Sequence, residues 1–478
     1  MRVLMMLART VTVLVTVIGL VAALPAGTAS AATPPIADIA AAPPDGPPSA
    51  DPPMRRNGDC IVGGVLANSD LAKPPPPQVS LQLAQAHKFS KGAGVIVAVV
   101  DTGVRPGPRL PGMIPGGDYV EAGDGFADCD GHGTIVAGII GAASSPTDGL
   151  VGVAPDAQIL AIRQTSKAFV PELGSADPND PQNSRTAGDV RSLARAIVHA
   201  ANLGAKVINV SVVSCVKVSR PIDQAMLGGA LAYAVNVKDA LVVAAAGNIG
   251  GTGAGAGQQN NCRSNPDVDP ANPSDARNWS GVQAISTPSW FDEQVLSVGF
   301  VSPDGVRTEN SMAGPWVDVA APGSGIVSLS TGGDGLINGL PAEDGAGLVP
   351  LAGTSFSAPY VSGLAALIRS RFPELSAKQV AARIITTAHA PARGVDNVVG
   401  RGMIDPVAAL TYEVPIEGQP DVTVQAAELS IPAPPPPPDR KPQQSAAIAV
   451  ATVMALLVLL AVVVTATGVL GRKEEGQR

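Results

Sequence analysis

Two continuous apolar runs constrain this chain most: Val95-Ile96-Val97-Ala98-Val99-Val100 and Ala240-Leu241-Val242-Val243-Ala244-Ala245-Ala246. A strand with one face in water alternates apolar and polar residues. A strand without that alternation is covered on both faces, as in a parallel sheet clad by helices. The first run stops at Asp101-Thr102-Gly103 and the second at Gly247-Asn248. Open α/β sheets carry their functional groups at the carboxyl ends of such strands. The expected fold is therefore α/β with a mostly parallel central sheet, and Asp101 and Asn248 stand at its functional edge. Either segment taken alone is also an ordinary turn.

A third segment supplies a nucleophile. Gly353-Thr354-Ser355-Phe356-Ser357-Ala358-Pro359 leads into residues 358–371 (APYVSGLAALIRSR), whose apolar side chains recur at helical spacing. Pro359 fits a first helical turn, where a missing N–H costs nothing. Ser355 is then expected at the mouth of a helix, where unpaired N–H groups and the positive end of the dipole favour an oxyanion. Serine before a helix is also a common plain cap. The choice depends on a base, because a serine hydroxyl is a weak nucleophile until an oriented base activates it.

Of the histidines His87, His132, His199 and His389, only His132 has a special context, Asp130-Gly131-His132-Gly133-Thr134. The flanking glycines allow close approach to the imidazole, and the small and apolar residues after it read as a buried helix. His199 lies in a helical pattern (VRSLARAIVHAANLG) and reads as packed or surface; His87 and His389 have no motif. Asp-Thr-Gly also occurs in aspartic proteases, but those pair two such carboxylates, and no second copy exists here. A side-chain amide at Asn248 can donate to a developing oxyanion, a role whose removal costs about 10²–10³ in turnover in the best-studied subtilisin case.

The order Asp101, His132, Asn248, Ser355 matches that of subtilisin and differs from the chymotrypsin and α/β-hydrolase orders. With Asp101-Thr102-Gly103, His132-Gly133-Thr134, Ala246-Gly247-Asn248 and Gly353-Thr354-Ser355-x-Ser357-x-Pro359 all intact, residues 90 to 410 resemble a subtilisin-like serine protease (a subtilase). The resemblance implies a three-layer subtilisin-like fold. It implies that Ser355 attacks a peptide carbonyl, His132 relays the proton, Asp101 orients the imidazole, and Asn248 with the Ser355 N–H stabilises the oxyanion. No metal or organic cofactor is needed. Activity should rise between about pH 6 and 8 as His132 becomes neutral. Ser211-Val212-Val213-Ser214 and Ala244-Ala245-Ala246-Gly247 would flank a cleft in which a substrate pairs as an added strand. Val213 and Ser214 stand where common subtilases have glycines, which should narrow the primary pocket.

The ends of the chain set its location. Basic Met1-Arg2 and Arg9, the apolar stretch 11–24 and Ala29-Ser30-Ala31 read as a signal peptide over residues 1–31. Residues 446–470 hold no charge and would extend about 37 Å as a helix, enough to cross a bilayer. Arg472 and Lys473 follow as a cytoplasmic stop. The expected organisation is thus a signal peptide, a proline-rich extension (32–88) wrapping the core, a catalytic domain (89–412), a proline-rich linker (413–445), a transmembrane helix (446–470) and a cytoplasmic tail (471–478). Residues 32–80 are too short and too weakly patterned to fold alone as a propeptide domain. A net charge of −8 without a basic stripe excludes nucleic acid as a main partner.

Cys60, Cys129, Cys215 and Cys262 fit an exported chain with two disulfides, for which three connectivities exist. The favoured one is Cys60–Cys129, stapling the extension beside the histidine loop, with Cys215–Cys262 closing an inserted loop near residues 250–278. The whole arrangement resembles a mycosin, a membrane-anchored subtilase of the actinobacterial type VII secretion system. That resemblance implies secreted polypeptide substrates, membrane components of the secretion system as partners, and a catalytic domain outside the membrane. A largely structural scaffold and a generic exported degradative subtilase remain alternatives. Two Gly/Pro/Asp-rich segments, 169–185 and 334–349, are expected as loops available to partners.

Overall fold

Ile96–Asp101 (β1), Ile114–Asp118 (β2), Gln158–Arg163 (β3), Val207–Val210 (β4), Leu241–Ala245 (β5), Val295–Val301 (β6) and Val317–Pro322 (β7) form one seven-stranded sheet in the order β7-β6-β5-β4-β1-β3-β2, and every pairing in it is parallel. Strands β4, β5 and β6 are buried along their whole length, as their unbroken apolar sequence requires. This computed structural model describes residues 32–172, 187–219, 222–250, 262–342, 345–415 and 441–474. The expected signal peptide, most of the proline-rich linker and the last four residues of the tail lie outside the described residues.

Helices supply the covering layers. His132–Gly141 (α1) packs against Thr354–Arg371 (α4), and Val190–Asn202 (α2) against Ala225–Asn236 (α3). Helix α4 touches β1, β4, β5, β6 and β7, and nearly all its side chains are buried. Helix α2 opens with a capping box, Asp189 with Ser192, which satisfies two of the N–H groups a helix start leaves unpaired.

The extension has little regular structure and is held by other parts of the chain. Asp45 accepts from His199 Nδ1 (2.8 Å) and Asn202 Nδ2 (3.0 Å) on α2. Met54–Arg56 pairs antiparallel with Phe169–Pro171, and Gly64 bridges to Gly339. The disulfides are Cys60–Cys129 and Cys215–Cys262.

Two expectations need correcting. The helix after the serine motif starts at Thr354 rather than Ala358, so Pro359 lies inside it. Proline there removes the hydrogen bond that would have served the carbonyl of residue 355. The segment 334–349 is not plain loop: Leu336–Ile337 pairs with Ser328–Leu329, and Gly339–Pro341 with Leu348–Pro350. Leu336, Ile337 and Leu340 are buried in the main core, which pins these short ladders. Of 169–185, residues 169–171 form the strand paired with the extension, and 173–185 lie outside the described residues.

The chain divides into two units, Met1–Gly418 and Gln419–Arg478. Within the second, Lys441–Glu474 (α5) is a single helix. Its described apolar side chains, among them Leu456, Leu457, Leu459 and Leu460, are exposed. Among the described residues, no helix is long and apolar enough to cross a membrane; the described side chains of the 446–470 stretch end at Val463.

Candidate active site

Asp101 is the last residue of β1 and is fully buried. His132 is the first residue of α1, and Ser355 the second of α4. Since α1 and α4 pack together, two helix N-termini meet beside the end of the central strand. Gly133 makes the approach possible, because a Cβ there would lie 2.0 Å from the Gly103 oxygen.

His132 Nδ1 lies 2.7 Å from Asp101 Oδ1, which also accepts from Thr102 N at 2.8 Å. A carboxylate can only accept, so Nδ1 carries the proton and Nε2 is the free basic nitrogen. Burial by itself would lower the His132 pKa. The Asp101 charge, the Asp101 hydrogen bond and the Asp128 charge outweigh it, and the imidazole is held above its ordinary value. The His132 ring stands 5.4 Å, centroid to centroid, from the ring of Phe356, the residue after Ser355. Among the described residues no hydrogen bond joins His132 to Ser355, whose side chain is half-exposed. Catalytic contacts of this kind commonly tighten only when substrate binds.

Asn248 lies past the end of β5, at the first turn of α4. Its Oδ1 accepts from Thr354 N at 2.8 Å and from Thr354 Oγ1 at 3.1 Å. With the oxygen so engaged, the amide presents Nδ2 as its donating end. Gly353 sits at φ 139° and ψ 169°, and a Cβ on it would fall 3.0 Å from Asn248 Oδ1. Only glycine suits both the angle and the space. The Ser355 N–H, in the first turn of α4, belongs to the set a helix leaves unpaired. Asn248 and the Ser355 N–H are therefore both placed at the first turn of α4.

The two cleft-flanking segments fare differently. Ser211, Val212 and Val213 continue beyond β4 outside any strand, whereas Ser214 is taken into a ladder opposite Thr287. Ser362 Oγ on α4 donates to Asn209 Oδ1 (2.8 Å), and Asn209 Nδ2 to Ser211 Oγ (2.8 Å). This buried chain fixes the first flank to the helix that carries Ser355. Ala244 and Ala245, by contrast, sit inside β5, fully buried and paired to β6, with Ala244 also paired to β4. The sheet uses their backbone and also takes the N–H of Ala246, which is equally buried and donates to the Val298 carbonyl (2.9 Å), so only Gly247 and Asn248 of this stretch lie past the sheet pairing.

The other histidines serve elsewhere: His87 bonds the Val153 carbonyl (2.9 Å), His199 bonds Asp45, and His389 pairs with Asp405 (3.2 Å). Sequence reasoning did not single out Asp128, Thr102, Thr134 or Thr354 as site residues. Thr102, Thr134 and Thr354 belong to the quoted motifs without a role assigned to them, and the only signal for Asp128 is a carboxylate four positions before His132.

Comparison with known proteins places this geometry. The profile of the Peptidase_S8 subtilase family matches residues 92–402. Mycosin-1 of Mycobacterium tuberculosis is 52% identical over 397 residues, 82% of this chain and 85% of the relative. The crystal structure of MycP1 from Mycobacterium smegmatis superposes with a TM-score of 0.75 at 52% identity, covering 80% of this chain and 96% of that one. A chain in the structure of an intact ESX-5 inner membrane complex superposes with a TM-score of 0.76 at 47% identity, covering 91% of this chain and all of that one.

Proposed function

Since the chain belongs to the subtilase family, as a mycosin-type serine endopeptidase, we propose that Asp101, His132 and Ser355 are its catalytic triad and Asn248 its oxyanion donor. The 2.7 Å contact between His132 Nδ1 and Asp101 Oδ1, made beside the start of the serine-bearing helix, carries this reading. Neutral His132 takes the Ser355 proton at Nε2 as the hydroxyl attacks a peptide carbonyl. The imidazolium so formed is stabilised by Asp101, and it returns the proton to the leaving amine. Negative charge develops on the carbonyl oxygen between Asn248 Nδ2 and the Ser355 N–H. Both donors are held in place beforehand, so little reorganisation is needed as the charge appears.

The substrate reading follows from the flanks. An extended polypeptide adds a strand along residues 211–213 and lies against Gly247 and Asn248 on the other side. Val213, partly buried at this edge, narrows the primary pocket, so small side chains precede the scissile bond.

The proposed setting is a type VII secretion complex at a cell membrane, anchored through residues 446–470 with the catalytic unit outside and the tail inside. Likeness to a component of an ESX-5 inner membrane complex over 91% of the chain supports it. The exposed apolar side chains of α5 support the anchor. That same likeness favours a second reading in which assembly of the complex is the main task and proteolysis secondary.

Labelling with a fluorophosphonate tests the chemistry: the adduct should map to Ser355 and vanish in Ser355→Ala. Mass spectrometry of culture filtrate from wild type and a Ser355→Ala strain tests the role. Loss of specific cleavage products supports the protease reading, unchanged products reject it, and secretion left intact favours the assembly role as the main one. Carbonate-resistant membrane association that disappears on deleting 446–470 tests the anchor.

A further inference from the structure

Three consecutive residues just before Gly131-His132 are each fastened to a different part of the chain. Cys129 is bonded to Cys60. Asp130, buried, accepts from Ser166 Oγ (2.5 Å) and Lys167 N (2.8 Å). Asp128 has the densest set: Oδ1 accepts from Thr102 Oγ1 (2.9 Å) and Gly131 N (2.8 Å), and Oδ2 from Thr134 N (2.9 Å) and Thr134 Oγ1 (2.6 Å). Its donors straddle both catalytic loops. Thr102 follows Asp101, Gly131 precedes His132, and Thr134 lies two residues after it. Thr102 Oγ1 also accepts from Gly133 N (2.9 Å), and Thr134 Oγ1 from Arg105 N (2.9 Å), which closes the network.

We propose that Asp128 is a positioning residue for the catalytic pair: its carboxylate clamps the Asp101 loop to the start of the His132 helix and its negative charge biases the imidazole toward the imidazolium. This rests on the triad assigned above. Asp128 touches no reacting atom and acts only through Asp101 and His132.

Several charges face the pair. His132 feels the carboxylates of Asp101 and Asp128 and, in the opposite sense, the ammonium of Lys167. Burial pushes the Asp128 carboxyl up to about 6; its bonds from Thr134 and Thr102 pull against that, and the Asp101 charge adds to the rise. Every neighbour that bonds Asp128 is a donor to it. A proton on either oxygen would therefore face N–H groups or force a hydroxyl to turn.

The test is the second-order rate of Ser355 phosphonylation by a fluorophosphonate, followed against pH in the full-length protein. Wild type should rise to a plateau as His132 loses its proton. In Asp128→Asn the midpoint should fall by about 0.5–1 pH unit, because a negative charge near the imidazolium is gone, and the plateau should fall about tenfold through misplacement of the pair. Asp128→Glu should restore the midpoint through its charge while leaving the plateau low. A wild-type midpoint in Asp128→Asn overturns the proposal, whether or not the plateau drops, since a merely structural residue would not move it. If Asp128→Asn does not fold, Thr102→Val decides. It removes the hydroxyl that donates to Asp128 and accepts from Gly133 N but leaves the Asp128 charge, so the plateau should fall with the midpoint held, and an unchanged plateau overturns the clamp. A wild-type protein that is not labelled at Ser355 refutes the triad itself and this proposal with it. A labelled wild type with an unmoved variant refutes only the role of Asp128.

Discussion

Gly353→Ala tests the idea that a backbone conformation, rather than another side chain, aims the oxyanion donor. At φ 139° and ψ 169° the residue occupies a region essentially reserved for glycine, and a methyl group there costs about 1–3 kcal/mol. The new Cβ would also meet Asn248 Oδ1 at 3.0 Å and Nδ2 at 3.2 Å. Asn248 cannot yield freely, because Thr354 N and Oγ1 both donate to its oxygen. Giving up one such bond adds about 1 kcal/mol, for a total near 2–4 kcal/mol. Unfolding entropy of about 2.1 cal/mol/K per residue over the ~310 residues matched by the subtilase family, 92–402, makes this a fall in Tm of about 3–6 °C. The phosphonylation rate at Ser355 should fall about 10–100-fold, below the full effect of deleting a donor because the amide is displaced and not lost. Differential scanning calorimetry and labelling kinetics read the two effects separately. Gly333→Ala is the control: a Cβ there has nothing within 4 Å, and both readouts should match wild type. A Gly353→Ala protein within 1 °C of wild-type Tm and within about twofold in rate would refute the reasoning.

Four further outcomes are expected. Asn248→Ala should lower the labelling rate about 10²–10³-fold and cost about 1–2 kcal/mol in stability, because the Thr354 N–H loses its acceptor; labelling kinetics and thermal melts check this. The His132 pKa is held above its ordinary value, so labelling should gain rate with rising pH above about 6.5. By linkage, the stability this histidine contributes is full below its unfolded pKa and lost as pH rises through the folded one. In Asp101→Asn the rate limb should move to lower pH and the plateau collapse by orders of magnitude, as a pH profile would reveal. Replacing Cys60 and Cys129 together by serine opens a cross-link spanning 69 positions, worth about 4 kcal/mol by loop entropy; calorimetry should report the loss, and limited proteolysis should cut the extension first.

The strands were legible because a buried parallel strand has no polar face to interrupt its apolar run: Val95–Val100 and Ala240–Ala246 contain β1 and β5 almost to the residue. Asp101, His132, Asn248 and Ser355 stand out in the sequence because each lies within two residues of a glycine at the end of such a run or the start of a helix. The start of α4 was not, because proline is most at home in a first turn, and here it stands inside the helix. Nor was the fate of Ala244 and Ala245, since an alanine inside a strand and one lining a cleft look alike in one dimension.

What the sequence determined alone is the chemistry present and the kind of sheet able to carry it, because burial and side-chain type are local properties written in composition and period. What the tertiary structure decided is which groups act together. Asp128 and Asp130 lie two positions apart in the same loop, yet one faces Thr102 and Thr134 and the other Ser166. The Thr354 bond that turns the Asn248 amide joins residues 106 positions apart. Contacts of that kind depend on how helices seat on the sheet, and only the packed core specifies it.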